Sequence, residues 1–452
     1  MKIHKLSMLL ILGAATLFSC KKDGCTDETA NNYNEKAKND DGTCTYDMQS
    51  FKLNIENIQE EYSYSSSGVF NTPVGAAMPG GATPGNSYQF TVNGGPGSKL
   101  SFATMFVGSN DLFFAPNGAG IELFSGSTPI SGDITSQVIL WDAGTEVNQE
   151  PGEGADQPAN QTGPNTGATE GGSVINISDV ADGFTYPSVS STIKVTIDGG
   201  SHVNEFIVTI ENLAASTSPI APGVWVIHAT DNPLFIEGSA DFGNGLEALS
   251  EDGSSAALGT YLNSRSGLNT PFTPGVWALS SEGNPIFSTG GSASAGLEMV
   301  AEDGDPSGLQ SELSANSMVS NSGVFNTPAG AGAPGPLLPG NNYEFTFTAT
   351  KGDRLSLATM FVQSNDLFYG FGPTGIELWD GNNAKTGDIT SSLVLWDAGT
   401  EVNEFPGAGL NQPLRQAAAN TGATEGGAVN EVSDGFMYEA TISNIKITLT
   451  LN

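Results

Sequence analysis

From residue 51 onward the chain is a succession of short apolar patterns with strand periods. "FKLNIENI" (51–58), "SYQFTV" (87–92), "STIKVTI" (191–197) and "EFIVTIENL" (205–213) place apolar side chains at every second position. "KLSFATMFV" (99–107) and "SQVILWD" (136–142) run apolar over the length of one buried strand. Gly, Pro, Asn and Ser bound these runs, which is turn chemistry. Many short strands with frequent turns predict an antiparallel β-sandwich, and the same periodicity also describes a barrel. The composition agrees: 58 Gly and 24 Pro with 14% charged residues suit strands and turns better than long helices.

The patterns are written twice. Residues 67–172 align with 322–427 at a constant offset of 255 without a gap, and 63 of the 106 positions are identical. "SGVFNTP", "ATMFV", "SNDLF", "GIEL", "GDIT", "LWDAGTEVN" and "NTGATEGG" all recur. Taking "FKLNIENI" and "EFIVTIENL" as the opening strands gives a first unit over 50–203 and a second over 204–452. On that division the second unit alone carries an α/β insert, about 214–321, which is itself doubled. "PGVW" recurs at 222 and 274, "NPLF" at 232 matches "NPIF" at 284, and "GLEALSEDG" at 245 matches "GLEMVAEDG" at 296. Each piece predicts a strand, a loop and short helices, with Asp305 and Pro306 as N-cap and first-turn proline before "SGLQSEL".

Charge and the N-terminus change the picture. Forty-nine acidic against 15 basic residues give a formal charge of -34. That field repels phosphate backbones and anionic lipids, so nucleic acid is excluded as a partner and multivalent cations are the natural counter-charge. Lys2 and Lys5 precede the apolar stretch "LSMLLILGAATLF", too short to span a bilayer, which ends in "LFSC". The ending resembles a bacterial lipobox, so residues 1–19 read as a lipoprotein signal peptide and Cys20 as the lipidated residue. Residues 20–49 then form a tether in which Cys25 and Cys44 pair across 18 residues in an oxidising compartment, a link worth roughly 3 kcal/mol. Asp40 and Asp41 lie near its second cysteine. The expected location is the cell envelope: an outer-membrane lipoprotein, periplasmic or surface-exposed, touching the membrane only through its anchor.

No catalytic signature appears: the chain has no HExxH, GxSxG, GxxxxGK[ST] or helix-opening GxGxxG. Of its three histidines, His4 leaves with the signal, while His202 and His228 have no cysteine to activate. The protein is not expected to be an enzyme. Hard-cation chemistry is better supported, since Ca²⁺ takes six to eight oxygens from carboxylates, carbonyls and water. Asp111 follows one strand in "SNDLF"; Asp142 and Glu146 flank the Ala-Gly turn that ends another. Paired strands would bring the three together, and the second copy repeats them as Asp366, Asp397 and Glu401. Glu122, Glu377, Asp133 and Asp388 are weaker candidates. The spacing alone describes a polar turn equally well.

"LSFATMFVGSNDLFF", "GIELF" and "VILWDAGTE" resemble the spondin domain at the front of F-spondin and mindin, and "PGVWVIHATDNPLFIEG…GLEALSEDG" is similar to that family's helix-ending stretch. The resemblance implies a C2-like antiparallel β-sandwich holding one Ca²⁺ per unit at its loop end. The implied ligands are Asp111, Asp142 and Glu146, then Asp366, Asp397 and Glu401, with Glu where the animal pattern has Asp at the last position of each set. It further implies adhesion or binding of an extracellular protein or glycan. A structural envelope protein using calcium only for rigidity, and a carboxylate-based hydrolase, are the alternatives.

Overall fold

The structure is a computed structural model that describes residues 22–28 and 30–452; the signal segment and Cys20 lie outside the described residues. The strands, in chain order, are β1 (Met48–Asn57), β2 (Ser66–Phe70), β3 (Ser87–Asn93), β4 (Lys99–Phe106), β5 (Leu112–Pro116), β6 (Val138–Asp142), β7 (Ile193–Gly199), β8 (Glu205–Asn212) and β9 (Ile220–His228). Helices α1 (Leu246–Asp252) and α2 (Ala256–Asn263) follow, and then β10 (Phe272–Ser280). Next come α3 (Ala295–Asp303), α4 (Ser307–Ala315), β11 (Val319–Phe325), β12 (Asn342–Thr350), β13 (Arg354–Phe361), β14 (Leu367–Phe371), β15 (Leu393–Asp397) and β16 (Ile445–Leu451).

These strands build two antiparallel sandwiches of the same design, and among the described residues no sheet closes into a barrel. In unit 1 a large sheet runs β6-β5-β4-β9-β2 and a small one β3-β8-β7, each finished at one edge by a two-residue strand. In unit 2 the large sheet runs β11-β10-β13-β14-β15 and the small one β12-β1-β16, finished in the same way. Phe102, Phe114, Val208 and Ile197 fill the space between the sheets of unit 1. Leu357, Tyr369, Leu53 and Ile447 do so in unit 2.

The division into 50–203 and 204–452 is corrected by the strand pairing. β1 lies between β12 and β16, with Leu53 opposite both Phe345 and Leu449, so the first strand of the chain belongs to unit 2. β8 stays with unit 1, where Val208 stands opposite Phe90 and Ile197. The two strands are interchangeable by pattern, each with every second side chain buried, so register alone does not say which sheet each joins. The hairpin from β7 to β8 is local and closes unit 1, leaving a vacancy in unit 2 that the N-terminal strand fills.

The presumed insert is accordingly not a property of one unit. Leu246, Leu249, Leu258 and Leu262 of α1 and α2 pack on the outer face of unit 1's large sheet against Val224, Val226 and Phe113. Leu297, Val300, Leu309 and Leu313 of α3 and α4 pack in the same way on Val276, Ala278 and Phe368 in unit 2. The large sheets are covered on both faces, which is why β4 and β13 read as continuous apolar runs rather than alternating ones. Among the described residues no helix is long and apolar enough to cross a membrane. Cys25 and Cys44 are joined in a disulfide.

Candidate metal centre

Each acidic loop starts where a buried strand ends. After β4 the Ser109 hydroxyl donates to Phe106 O at 2.6 Å and accepts from Leu112 N at 3.0 Å, which turns Asn110 and Asp111 inward. After β6 the Asp142 Oδ1 accepts from Gly144 N at 2.7 Å. Gly144 has φ 69°, and a Cβ there would press on the backbone of Ser173, so the tight turn needs glycine. Behind the turn, Trp141 is 1% exposed; its Nε1 donates to Ala115 O and its ring packs on Phe235 at 4.9 Å.

Three carboxylates meet in front of this turn, and the third is not the expected one. Asp111, Asp142 and Glu170 each place an oxygen within 4.8 Å of the others, as do Asp366, Asp397 and Glu425 in unit 2. Glu146 and Glu401 are outside these groups. Glu146 is buried, its Oε1 accepting from Gly167 N at 2.7 Å and its Oε2 from Asn110 Nδ2 at 3.4 Å. Glu401 repeats this with Gly422 and Asn365. These glutamates brace the returning loop: Glu170 N donates to Thr145 O and Val147 N to Ala168 O, and this pairing carries Glu170 to the cluster. The repeated "NTGATEGG" held that third carboxylate; only the absence of a strand next to it hid its place.

The hydrogen bonds leave one atom bare. Asp111 Oδ2 accepts from Thr145 N and Glu146 N, both at 3.1 Å, and Asp142 Oδ2 accepts from Asn148 Nδ2 at 2.6 Å. Asp111 Oδ1 is buried with no donor, and Asp366 Oδ1 is in the same state. Burial first, and the neighbouring Asp142 charge second, push the Asp111 carboxyl well above the usual range. For the same reasons, with Asp397 as neighbour, Asp366 is pushed up to about 7. Burial also raises Asp142, Asp397, Glu170 and Glu425. An all-oxygen donor set with an orphaned buried acceptor fits a hard cation such as Ca²⁺ and not a thiolate- or imidazole-seeking metal.

Helix α1 belongs to the site. Asn165 donates to Glu247 at 2.9 Å and Gln161 to Asp252 at 3.0 Å, tying the returning loop to the helix; Asn420 and Gln416 do the same to Glu298 and Asp303. Glu251 and Glu302, pushed up to about 7 chiefly by burial, look onto Thr145 and Thr400.

The weaker candidates lie elsewhere. Glu122 and Glu377 pair with Lys99 and Arg354, and Asp133 and Asp388 accept from the backbone of Thr135 and Thr390. Asp40 and Asp41 hold the turn at Gly42 and Thr43. His228 is buried between Ser101 Oγ (2.9 Å from Nε2) and Thr230 O (2.5 Å from Nδ1), while His202 stacks edge-on against Phe436 where the units meet.

The structure thus defines a helix-covered antiparallel β-sandwich with an acidic loop cluster at its end, in two copies. The Spondin_N family model matches residues 269–408, from β10 through the acidic turn of unit 2. The chain carries a spondin domain there, as its motifs imply. No curated protein matches the chain.

Proposed function

We propose that this is an exported, lipid-anchored protein built of two spondin-type units, each holding one Ca²⁺, that serves adhesion or binding of an extracellular protein or glycan and is not an enzyme. The observation that carries the metal reading is the donorless, buried Oδ1 of Asp111 and Asp366, each facing two further carboxylates. A cation between them would neutralise the repulsion that raises their pKa values. Asp111, Asp142 and Glu170 would hold it in unit 1, with Asp366, Asp397 and Glu425 in unit 2. Residues 67–172 repeat 322–427 closely enough that unit 1 is read as a second domain of the kind matched in unit 2. Export is supported by the Cys25–Cys44 disulfide, and anchoring by the sequence ending at Cys20.

The first prediction tests the metal. The melting temperature of the chain from residue 21 onward is expected to rise on adding CaCl₂ and fall on adding EDTA, calcium adding RT ln(1 + [Ca²⁺]/Kd) of folding free energy per site. A melting temperature indifferent to both would end the calcium reading. A purely structural role is the second reading, favoured by the way β1 locks unit 2 to the start of the chain. Retention of a glycan or matrix protein on the immobilised chain in calcium, lost in EDTA, separates the two.

A further inference from the structure

We propose that the ligand-binding site is a cleft in unit 1 beside the metal loop, and that it takes an extended, uncharged peptide segment through a branched aliphatic side chain. This rests on the reading of the protein as a binder. The cleft has a volume of about 400 Å³ and is walled by Phe106, Pro151, Gly152, Tyr186 and Pro219. No charged side chain lines it, and the chain's charge of -34 disfavours an anionic ligand. Its buried polar groups are already satisfied. Gln157 donates to Glu150 O and accepts from Gly152 N, and Ser218 Oγ accepts from Gly108 N and donates to Pro219 O. What remains is an apolar wall, with Thr185 and Thr217 lining it from exposed positions.

The duplicate shows what such a cleft accepts. Phe106, Pro151 and Gly152 correspond to Phe361, Pro406 and Gly407, and the segment before β9 corresponds to the segment before β10, Ser216 standing where Leu268 stands. In unit 2, Leu268 turns into this place: a Cβ on Gly407 would collide with Leu268 Cδ2. Leu268 packs on the core, and Gln363 Nε2 donates to Asn269 O at 2.6 Å. In unit 1 the two filling side chains are replaced by Ser216 and Gly108, and a Cβ on Gly152 would meet open space. The cleft is thus a mould from which a leucine and an amide side chain have been removed. An incoming segment with a leucine-like group regains the apolar burial that unit 2 gets from its own chain. The wall is also coupled to the acidic loop: Gly152 N donates to Gly108 O, and Gln149 N donates to the same Asn110 that holds Glu146. Calcium that orders this loop would shape the cleft.

The test uses hexapeptides Ser-Gly-X-Asn-Thr-Pro, copied from residues 266–271 with X as Leu, Ile, Val, Ala, Lys or Asp, titrated against the purified protein in calcium and followed by NMR and calorimetry. Saturable binding is expected for Leu, Ile and Val, with Lys and Asp at least tenfold weaker. Ser216→Leu, which installs the residue of unit 2, is expected to weaken the Leu peptide at least tenfold; Gly108→Gln should act likewise should the first variant misfold. No saturable binding by any peptide, or equal binding by both variants and the parent, overturns the proposal. Melting with calcium and EDTA on the same samples separates the failures. A calcium shift without peptide binding sinks the cleft alone, and peptide binding without a calcium shift sinks the calcium reading alone.

Discussion

Asp111 Oδ1 decides how the acidic loop behaves, because a buried carboxylate oxygen without a donor is tolerable only if protonated or bound to a cation. Asp111→Asn removes the charge and keeps an acceptor for Thr145 N and Glu146 N. The variant is therefore expected to melt higher than the parent in EDTA yet gain nothing from calcium, two effects of opposite sign that a merely structural turn would not give. Glu146 and Glu170 separate in the same experiment. Glu146→Gln sets an amide against Asn110 Nδ2 and should cost about 1–3 kcal/mol with or without calcium. Glu170→Gln should shrink the calcium shift and leave the EDTA melting point near the parent's. The pH dependence has a definite sign. Asp366 is raised from its ordinary value of 3.8 to about 7, so the folded chain holds that proton more tightly than the unfolded one. Its contribution to metal-free stability is full below the ordinary value and is lost as pH rises through about 7; Glu251 and Glu302 act in the same direction. Metal-free protein should melt higher at pH 5 than at pH 8, and calcium should reverse that order because it binds the charged form. Melting curves at both pH values, with and without EDTA, check this.

Strands were more legible than their partners. "KLSFATMFV", "SQVILWD" and "EFIVTIENL" fold as the periodicity predicts, and "GLEALSEDG" and "SGLQSEL" form helices. Asp111 and Asp142 were legible because each lies at a strand end, Asp111 just before β5 and Asp142 closing β6, whereas Glu170 sits 28 residues beyond Asp142 (170 − 142), at the end of an irregular loop that only tertiary pairing brings back. The division into units was not legible, because "FKLNIENI" and "EFIVTIENL" carry the same alternation and either satisfies either sheet. Chain closure, a long-range property, makes the choice. It also yields a prediction at the scale of one strand. Leu53 is fully buried between Phe345 and Leu449, so Leu53→Ala should cost 2–5 kcal/mol in unit 2 alone. Calorimetry should show one transition lowered and a second unmoved, and calcium titration near the lowered transition should count one site rather than two. Loss of the unit 1 site instead would restore the simple head-to-tail division.

At the scale of the molecule, the chain passes through unit 2 as the single strand β1 before it reaches unit 1. Residues 22–47 lead directly into β1, and residues 58–65 lead from β1 to β2 of unit 1. That passage runs beside the return connection: Tyr62 N donates to Asn269 Oδ1, Asn269 Nδ2 to Tyr62 O, and Tyr64 N to Arg265 O. The units also touch where Asn204 Nδ2 donates to Ala408 O, beside Arg415. Tension between the N-terminal segment and a ligand held by unit 1 would therefore load β1 in shear, its pairs with β12 and β16 on both sides resisting together. Pulling from residue 452 is different, because Asn452 N donates to Ser50 O and β16 runs antiparallel to β1, so β16 would peel away one pair at a time. Optical-tweezer handles at residue 22 and in unit 1 at Thr162 are expected to unfold unit 1 first with unit 2 intact. Handles at 22 and 452 should open unit 2 first, at the lower force. The same order from both pairs of handles would show that β1 does not carry the load past unit 2.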